Sequence, residues 1–427
     1  MPKINLHHFP WLPAMLLLLA SLFVLSGLAE VPFHPDESTY LYMSSDLELF
    51  FQDPLSMVYD PAVQEDARQR YRLLDAPVGR LAIGAARRIA GYAALPGDWN
   101  WRRTWEVNVA AGALPSPGLL LAGRIGASLL GLLALVCLYQ AGRRMDRPLT
   151  GLLAAGFLVL NALFLLHARR AMAEGPLLLG VCLALWGFMD GERRPWLAGL
   201  GAALALNAKL SALPLLPVGL LAVVWLVDTS PVLRWRRRLS NAVQYLLVLT
   251  ILTVALNPWL WRQPIVALRA AVAERNRLLA LQVADMREIA PQQVLDTAGE
   301  RLMAVTAHLF LTSPSFAEVG NYRAATASVE AAYLSNPLHS LLRGTVGGVV
   351  LLVLFLLGLS LALLNLRRVS PSQRRVLVLV LLTGALQLAA IVAAVPLAWQ
   401  RYVIPLLPFV CLWAGYALHK PGTASIP

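Results

Sequence analysis

Charge is scarce in this chain. Only 14% of its 427 residues are Asp, Glu, Lys or Arg, against 58% that are hydrophobic. So few charged side chains cannot coat a water-soluble fold of this length, and a soluble domain is excluded. Cysteine is scarcer still. Cys137, Cys182 and Cys411 all lie inside apolar runs, so they read as small core residues and not as a disulfide framework. No internal repeat and no low-complexity tract is visible. Nor is there a concentrated basic stretch for nucleic acid. The formal net charge of +12 comes from short arginine clusters between apolar runs, which is the pattern of topology determinants.

What the chain does have is length of apolar sequence. Mean hydropathy is +0.62. The expected class is an all-α polytopic membrane protein, a single transmembrane domain over 1–427. About ten spans are expected, each close to the ~20 apolar residues that a bilayer core requires. They run over 11–30, 118–140, 149–166, 172–189, 195–208, 211–228, 242–260, 341–365, 376–396 and 402–419. The first run has a basic flank at Lys3 and small residues near its end, so it reads as a first span or as a signal peptide. Pro195 suits the start of the short fifth span, and Lys209 its end.

With a cytoplasmic N-terminus, the clusters RRMDR (143–147), ERR (192–194), RWRRR (234–238) and RRVSPSQRR (367–375), with Lys420, all fall inside. Two long segments, 31–117 and 261–340, then lie outside. In the first, Val78, Leu81, Ala82, Ala85 and Ile89 recur at helical spacing, with Arg80, Arg87 and Arg88 on another face. That predicts a basic amphipathic helix lying in the interface. The stretch 265–286 in the second reads either the same way or as a helix packed on the outer surface. The tail 421–427 reads as disordered.

Several charges break the topology pattern, and a charge at the end of a span is costly unless paired or solvated. Four positions stand out on the outer side: Asp36–Glu37 in HPDE (34–37), Arg169, Arg170 and Glu174 in HARRAMAEGP (167–176), Lys209 in NAKLS (207–211), and Arg401–Tyr402 in WQRYVIPLLP (399–408). A hydroxyl nucleophile needs a carboxylate base within hydrogen-bond reach. A phosphate leaving group needs Arg or Lys. Together these residue types point to glycosyl transfer from a lipid phosphate sugar. Structural roles stand beside the chemical ones: Asp36 as N-cap of a helix starting near Ser38, Glu37 in a first helical turn, His34 as a loop residue or a metal ligand, Arg169, Arg170 and Lys209 as snorkelling or paired groups, and Arg401 with Tyr402 as an interfacial anchor.

The chain resembles the GT-C membrane glycosyltransferases, in particular the protein O-mannosyltransferase and aminoarabinose transferase branch that uses polyprenyl- or dolichyl-phosphate sugars. The resemblance rests on HPDE (34–37), DAPVGRLAIGAARRIAGY (75–92), LAGRIGASLLG (121–131), ARRAMAEGPLLL (168–179), NPWLWRQP (257–264) and RYVIPLLP (401–408). The paired prolines usual in that group are Ala76–Pro77 here, a departure that points away from the eukaryote-like mannosyltransferases. The modest outer loops, and a last span followed only by a short tail, point away from the oligosaccharyltransferase and arabinosyltransferase branches.

The resemblance implies that Asp36 is the base and that the reaction inverts the anomeric centre. It implies that Glu37 holds or tunes the site, and that Arg169 or Arg170, Lys209 and Arg401 are candidates for the donor phosphate. His34, Glu174, Tyr402 and Arg80 are expected to line the site. No obligatory cofactor or metal is expected. Because some relatives bind a divalent metal, His34, Glu37 and Glu174 are its possible ligands. The expected partners are a polyprenyl-phosphate-linked sugar, a lipid, protein or glycan acceptor, and membrane lipids, with no nucleic acid. The expected place is a bacterial inner membrane, with the site on the outer face. Two rivals are a transporter or flippase of lipid-linked sugar and a structural membrane subunit. Transporters carry ionisable groups near the bilayer midplane and often contain repeats, whereas these charges lie at helix ends.

Overall fold

A computed structural model of the chain describes residues 11–63, 66–145, 148–225, 231–318 and 322–418. Lys3, Asp146, Arg147, Lys420 and the tail 421–427 lie outside the described residues. Among those described, the secondary structure is helical throughout, apart from one isolated bridge between Val294 and Leu397.

The first apolar helix is α1 (Leu12–Ser26). The first outer segment then holds α2 (Pro35–Met43), α3 (Asp46–Gln52), α4 (Ala67–Leu74), α5 (Pro77–Ile89) and α6 (Trp105–Ala110). Seven apolar elements follow: α7 (Pro117–Arg144), α8 (Pro148–Val159), α9 (Ala162–Ala168), α10 (Glu174–Met189), α11 (Pro195–Leu206), α12 (Leu215–Trp225) and α13 (Pro231–Leu256). The second outer segment holds α14 (Pro264–Ile289), α15 (Ala298–Thr306) and α16 (Arg323–Ser335). The apolar α17 (Gly344–Asn365), α18 (Pro371–Ala394) and α19 (Leu407–Ala417) complete the order.

Each expected apolar run holds a helix among the described residues, but the lengths differ from expectation. Among the described residues, four helices are long and apolar enough to cross a membrane: α7, α13 over Arg234–Leu256, α17 and α18. The run read as one span over 149–166 is broken, because α8 and α9 meet at 67°. The break lies at Asn161, whose side chain accepts from the Leu163 N–H (3.0 Å) and so caps a new helix inside apolar sequence. Pro195 starts α11 and Lys209 follows its end, as expected.

One large apolar core joins α7–α12 with α17–α19. α10 is at its centre and packs on both α7 and α11. The α10–α11 contact is backbone against backbone: a Cβ on Gly180 would meet the Ala205 main chain, and one on Gly201 that of Ala184. Without a hydrophobic driving force inside lipid, such close approach of small residues supplies the packing energy.

The outer helices are not free interfacial elements. α5 does not lie with a basic face open to the interface. Arg80 and Arg87 are buried, leaving Arg88 exposed. The reason is that α3 brings two acids against them: Arg80 Nε lies 3.0 Å from Asp46 Oδ2, and Arg87 Nη2 donates to Glu48 Oε2 at 2.6 Å. α14 packs Ala267 and Ala271 against Leu73, Trp259 and Leu260, while Ile265, Leu268 and Val272 face outward.

Candidate active site

The site is assembled at the ends of apolar helices, where the four expected segments meet. Helix α2 starts at Pro35, one turn earlier than the Ser38 start expected. His34 is its N-cap, and Nδ1 accepts from the Asp36 N–H at 3.1 Å. Asp36 therefore lies in the first turn and does not cap the helix. That leaves its carboxylate, 21% exposed, available to a partner, and Arg401 Nη1 donates to it.

Glu37 is turned the other way and is fully buried. It accepts from Arg124 Nε and Nη2 (2.8 Å each), from the Ala171 N–H (2.9 Å) and from the His34 N–H (3.0 Å). Burial is the largest influence and pushes its carboxyl pKa up, but the Arg124 charge and hydrogen bonds, the Arg170 charge and the Ala171 N–H together outweigh it, and the net shift is downward. Its four donors occupy both carboxylate oxygens, so Glu37 is held by Arg124, Ala171 and His34 beside Asp36. Arg124 also donates to the Leu28 and Val31 carbonyls (2.7 and 2.9 Å), binding the chain that leaves α1 to α7.

Arg169 and Arg170 are likewise held by protein groups. Arg169 donates to the Val24 and Phe23 carbonyls (2.9 and 2.8 Å), supplying partners for the C-terminal end of α1. Arg170 donates to the Pro32 and Phe316 carbonyls (3.3 and 3.0 Å), tying the two outer segments together. Both are 1% exposed and face main-chain oxygens, not open space. Arg80 likewise leaves the site lining: it is buried on Asp46 and donates to the Asp75 carbonyl at 2.6 Å.

Two of the expected cations remain. Lys209 Nζ is 2.8 Å from Glu174 Oε1 and lies over the Tyr402 ring. Arg401 is shared between Asp36 and Glu318, with its Nε 3.4 Å from Glu318 Oε1. Tyr402 stacks parallel on Trp399 at 5.8 Å.

Glu318 is a site residue that the sequence did not disclose. It also pairs with His34 Nε2 at 2.7 Å, across 284 residues. Burial pushes its carboxyl up, yet Arg401 and then His34 hold it well below the usual carboxylate range. Nothing in the local pattern around Glu318 distinguishes it from any other loop acid.

His34, Glu37 and Glu174 do not fit as a divalent-metal set. They are committed to Glu318, Arg124 and Lys209 respectively, and among the described residues no group of three or more His, Cys, Asp or Glu converges as metal ligands.

Beside Tyr402 a groove of about 650 Å³ runs along α14. It is lined by Leu279, Ala280, Val283 and Ala284, with Asn276 and Arg287 on the same helix and Pro396 opposite. It adjoins the apolar cluster of Met286, Leu397, Trp399 and Tyr402. Leu279 and Val283 of the groove pack against that cluster, whose Tyr402 ring lies under Lys209.

The model of the dolichyl-phosphate-mannose-protein mannosyltransferase family matches residues 67–268, a little under half of the chain. A sequence comparison with curated proteins gives no match. Among solved structures, ArnT from Cupriavidus metallidurans bound to undecaprenyl phosphate aligns with a TM-score of 0.53 and 15% identity, covering 96% of this chain and 60% of that one. The apo oligosaccharyltransferase of Archaeoglobus fulgidus aligns with a TM-score of 0.52 and 12% identity, covering 97% of this chain and 51% of that one. This chain thus spans less than two thirds of the length of either. The all-α architecture with apolar helices expected from the sequence is the fold found, and it is shared with these two structures.

Proposed function

We propose that this chain is an inverting glycosyltransferase that moves a monosaccharide from a polyprenyl-phosphate donor, undecaprenyl- or dolichyl-linked, to a hydroxyl acceptor. The observation that carries this is the pairing of the partly exposed Asp36 carboxylate with Arg401, whose chain neighbour Tyr402 lies under Lys209 and belongs to the apolar cluster that adjoins the α14 groove. Asp36 is the base, and Arg401 and Lys209 receive the donor phosphate. The polyprenyl chain occupies the α14 groove. The site faces the outer side of a bacterial inner membrane, in keeping with the arginine clusters of the opposite loops. The acceptor is a lipid, protein or glycan.

Both cations are already paired with carboxylates, so donor binding is an exchange. The phosphate takes Arg401 from Asp36 and leaves that carboxylate free to accept the acceptor proton. The acceptor oxygen then bonds to the anomeric carbon from the face opposite the phosphate, and the anomeric carbon–oxygen bond to phosphate breaks. The released polyprenyl phosphate carries the electron pair and an added negative charge, which Arg401 and Lys209 stabilise.

The test uses the full chain in proteoliposomes with undecaprenyl-phosphate mannose, glucose and a pentose in turn, and envelope extract as acceptor source. Asp36→Asn is expected to retain helicity and donor binding and to lose at least about a hundredfold in release of undecaprenyl phosphate, the usual scale of a general base. Full turnover by this variant would falsify the assignment. Lipid-linked sugar crossing the vesicle unchanged would favour the transporter instead.

A further inference from the structure

Two buried asparagines end two apolar helices side by side. Asn207 follows α11, and Asn257 follows α13, where Pro258 turns the residue before it out of the helical region. Each donates through Nδ2 to the carbonyl four residues back, Ala203 (2.8 Å) and Thr253 (2.7 Å), at helix ends where carbonyls run short of partners. The groups that remain meet each other. Asn257 Nδ2 also donates to Asn207 Oδ1 at 2.5 Å, and Asn207 Nδ2 to Thr253 Oγ1 at 3.1 Å. Trp259 Nε1 donates to Asn257 Oδ1 at 2.9 Å. An indole N–H can only donate. Trp259 therefore fixes which way the Asn257 amide points, and Asn257 fixes Asn207 in turn.

This run of bonds joins the turn that carries Lys209 to the helix that forms the groove. Lys209 lies two residues past Asn207. Its N–H donates to the Ala205 carbonyl (3.0 Å), and its Nζ reaches Glu174 beside the Tyr402 ring. The Asn207 carbonyl accepts from the Val78 N–H at 2.9 Å, so the start of α5 closes on the same turn. At the other end, the Trp259 ring packs with Leu73 and Leu260 against Ala267 and Ala271 in the first turns of α14. Apolar side chains at 207 and 257 could fill the same space, but only a satisfied network of directional bonds fixes one arrangement. We infer that Asn257 is a positioning residue for the lipid donor. Acting through Asn207, it fixes the turn that presents Lys209 and ties that turn to the groove helix. This rests on the assignment of Lys209 to the donor phosphate.

Binding of undecaprenyl phosphate to the full chain in nanodiscs tests this, with undecaprenol, which lacks the phosphate, as the second probe. Asn257→Ala is expected to weaken undecaprenyl phosphate about tenfold, the scale of one charged hydrogen bond, and undecaprenol by less than about twofold. Trp259→Phe keeps a ring in the cluster and removes the N–H that orients Asn257. It is expected to weaken undecaprenyl phosphate about threefold. The third measurement uses a Lys209→Gln background, whose amide can still donate to Glu174. There Asn257→Ala is expected to change the affinity for undecaprenyl phosphate by less than about twofold, because the group it positions is gone. An asparagine that served the fold alone would weaken both lipids alike and keep its effect without Lys209. Parental affinity in either single variant, an equal loss for undecaprenol, or an undiminished loss in the Lys209→Gln background overturns the proposal. If Lys209→Gln weakens undecaprenyl phosphate while Asn257→Ala does not, only this inference fails. If Lys209→Gln binds it like the parent, the phosphate assignment of Lys209 fails as well.

Discussion

Asp36 and Glu37 are neighbours in sequence and opposites in environment. One helical residue step turns Asp36 toward Arg401 and Glu37 into the protein against Arg124. Both acids were legible as candidates in HPDE, but which of them meets solvent depends on the start of α2 at Pro35, fixed by the His34 cap. Arg124 was legible as the arginine in LAGRIGASLLG, without its partner. Removing it strands a buried carboxylate, a cost of about 3–5 kcal/mol. Arg124→Gln is therefore expected to unfold several degrees lower in detergent than the parent. Glu37→Gln/Arg124→Gln is expected to lose less than the two single changes combined, read as coupling in a double-mutant cycle. Additive losses would remove the pair from its structural role. His34 and Lys209 were named from sequence too. Their partners, Glu318 and Glu174, lie 284 and 35 positions away, and no local pattern connects them.

At the scale of elements, hydrophobic run length located the apolar helices because the bilayer demands it. It did not locate the 67° break at Asn161, which one capping side chain decides. The amphipathic pattern of α5 was read correctly as a helix. Its basic face was assigned to the interface because Asp46 and Glu48 belong to another element, α3, that only folding brings near. The close packing of α10 on α11 is testable at Gly201, where a Cβ would meet the Ala184 main chain and backbone cannot yield as a flexible side chain can. Gly201→Val is expected to cost about 1–3 kcal/mol, the range for overpacking, and Gly156→Val almost nothing, since Gly156 faces open space. Thermal midpoints of the two variants in detergent compare them directly, and equal effects would refute the packing.

For the whole molecule, the decisive contacts join the two outer segments above the apolar core. Arg170 bonds the carbonyls of Pro32 and Phe316, and His34 pairs with Glu318. Glu318 in turn shares Arg401 with Asp36. Glu318→Gln removes one of the two ion pairs that Arg401 makes among the described residues and weakens the His34 link. It is expected to lower kcat/KM about tenfold, on the scale of one charged hydrogen bond, with unchanged far-ultraviolet circular dichroism. Parental kinetics would show that the shared pairing has no bearing on turnover. The sequence by itself determined the solvent: so little charge and so much apolar length admit a helical membrane protein, and the arginine clusters order its loops. Its local motifs also marked the segments that meet. Tertiary structure alone decided which charges are spent on one another, because pairing depends on distance in space, and burial makes an unpaired charge costly enough to select its partner. That selection ties Glu37 to Arg124, Arg80 to Asp46, and Arg169 and Arg170 to main-chain carbonyls, and it pairs Asp36 with Arg401 and Lys209 with Glu174.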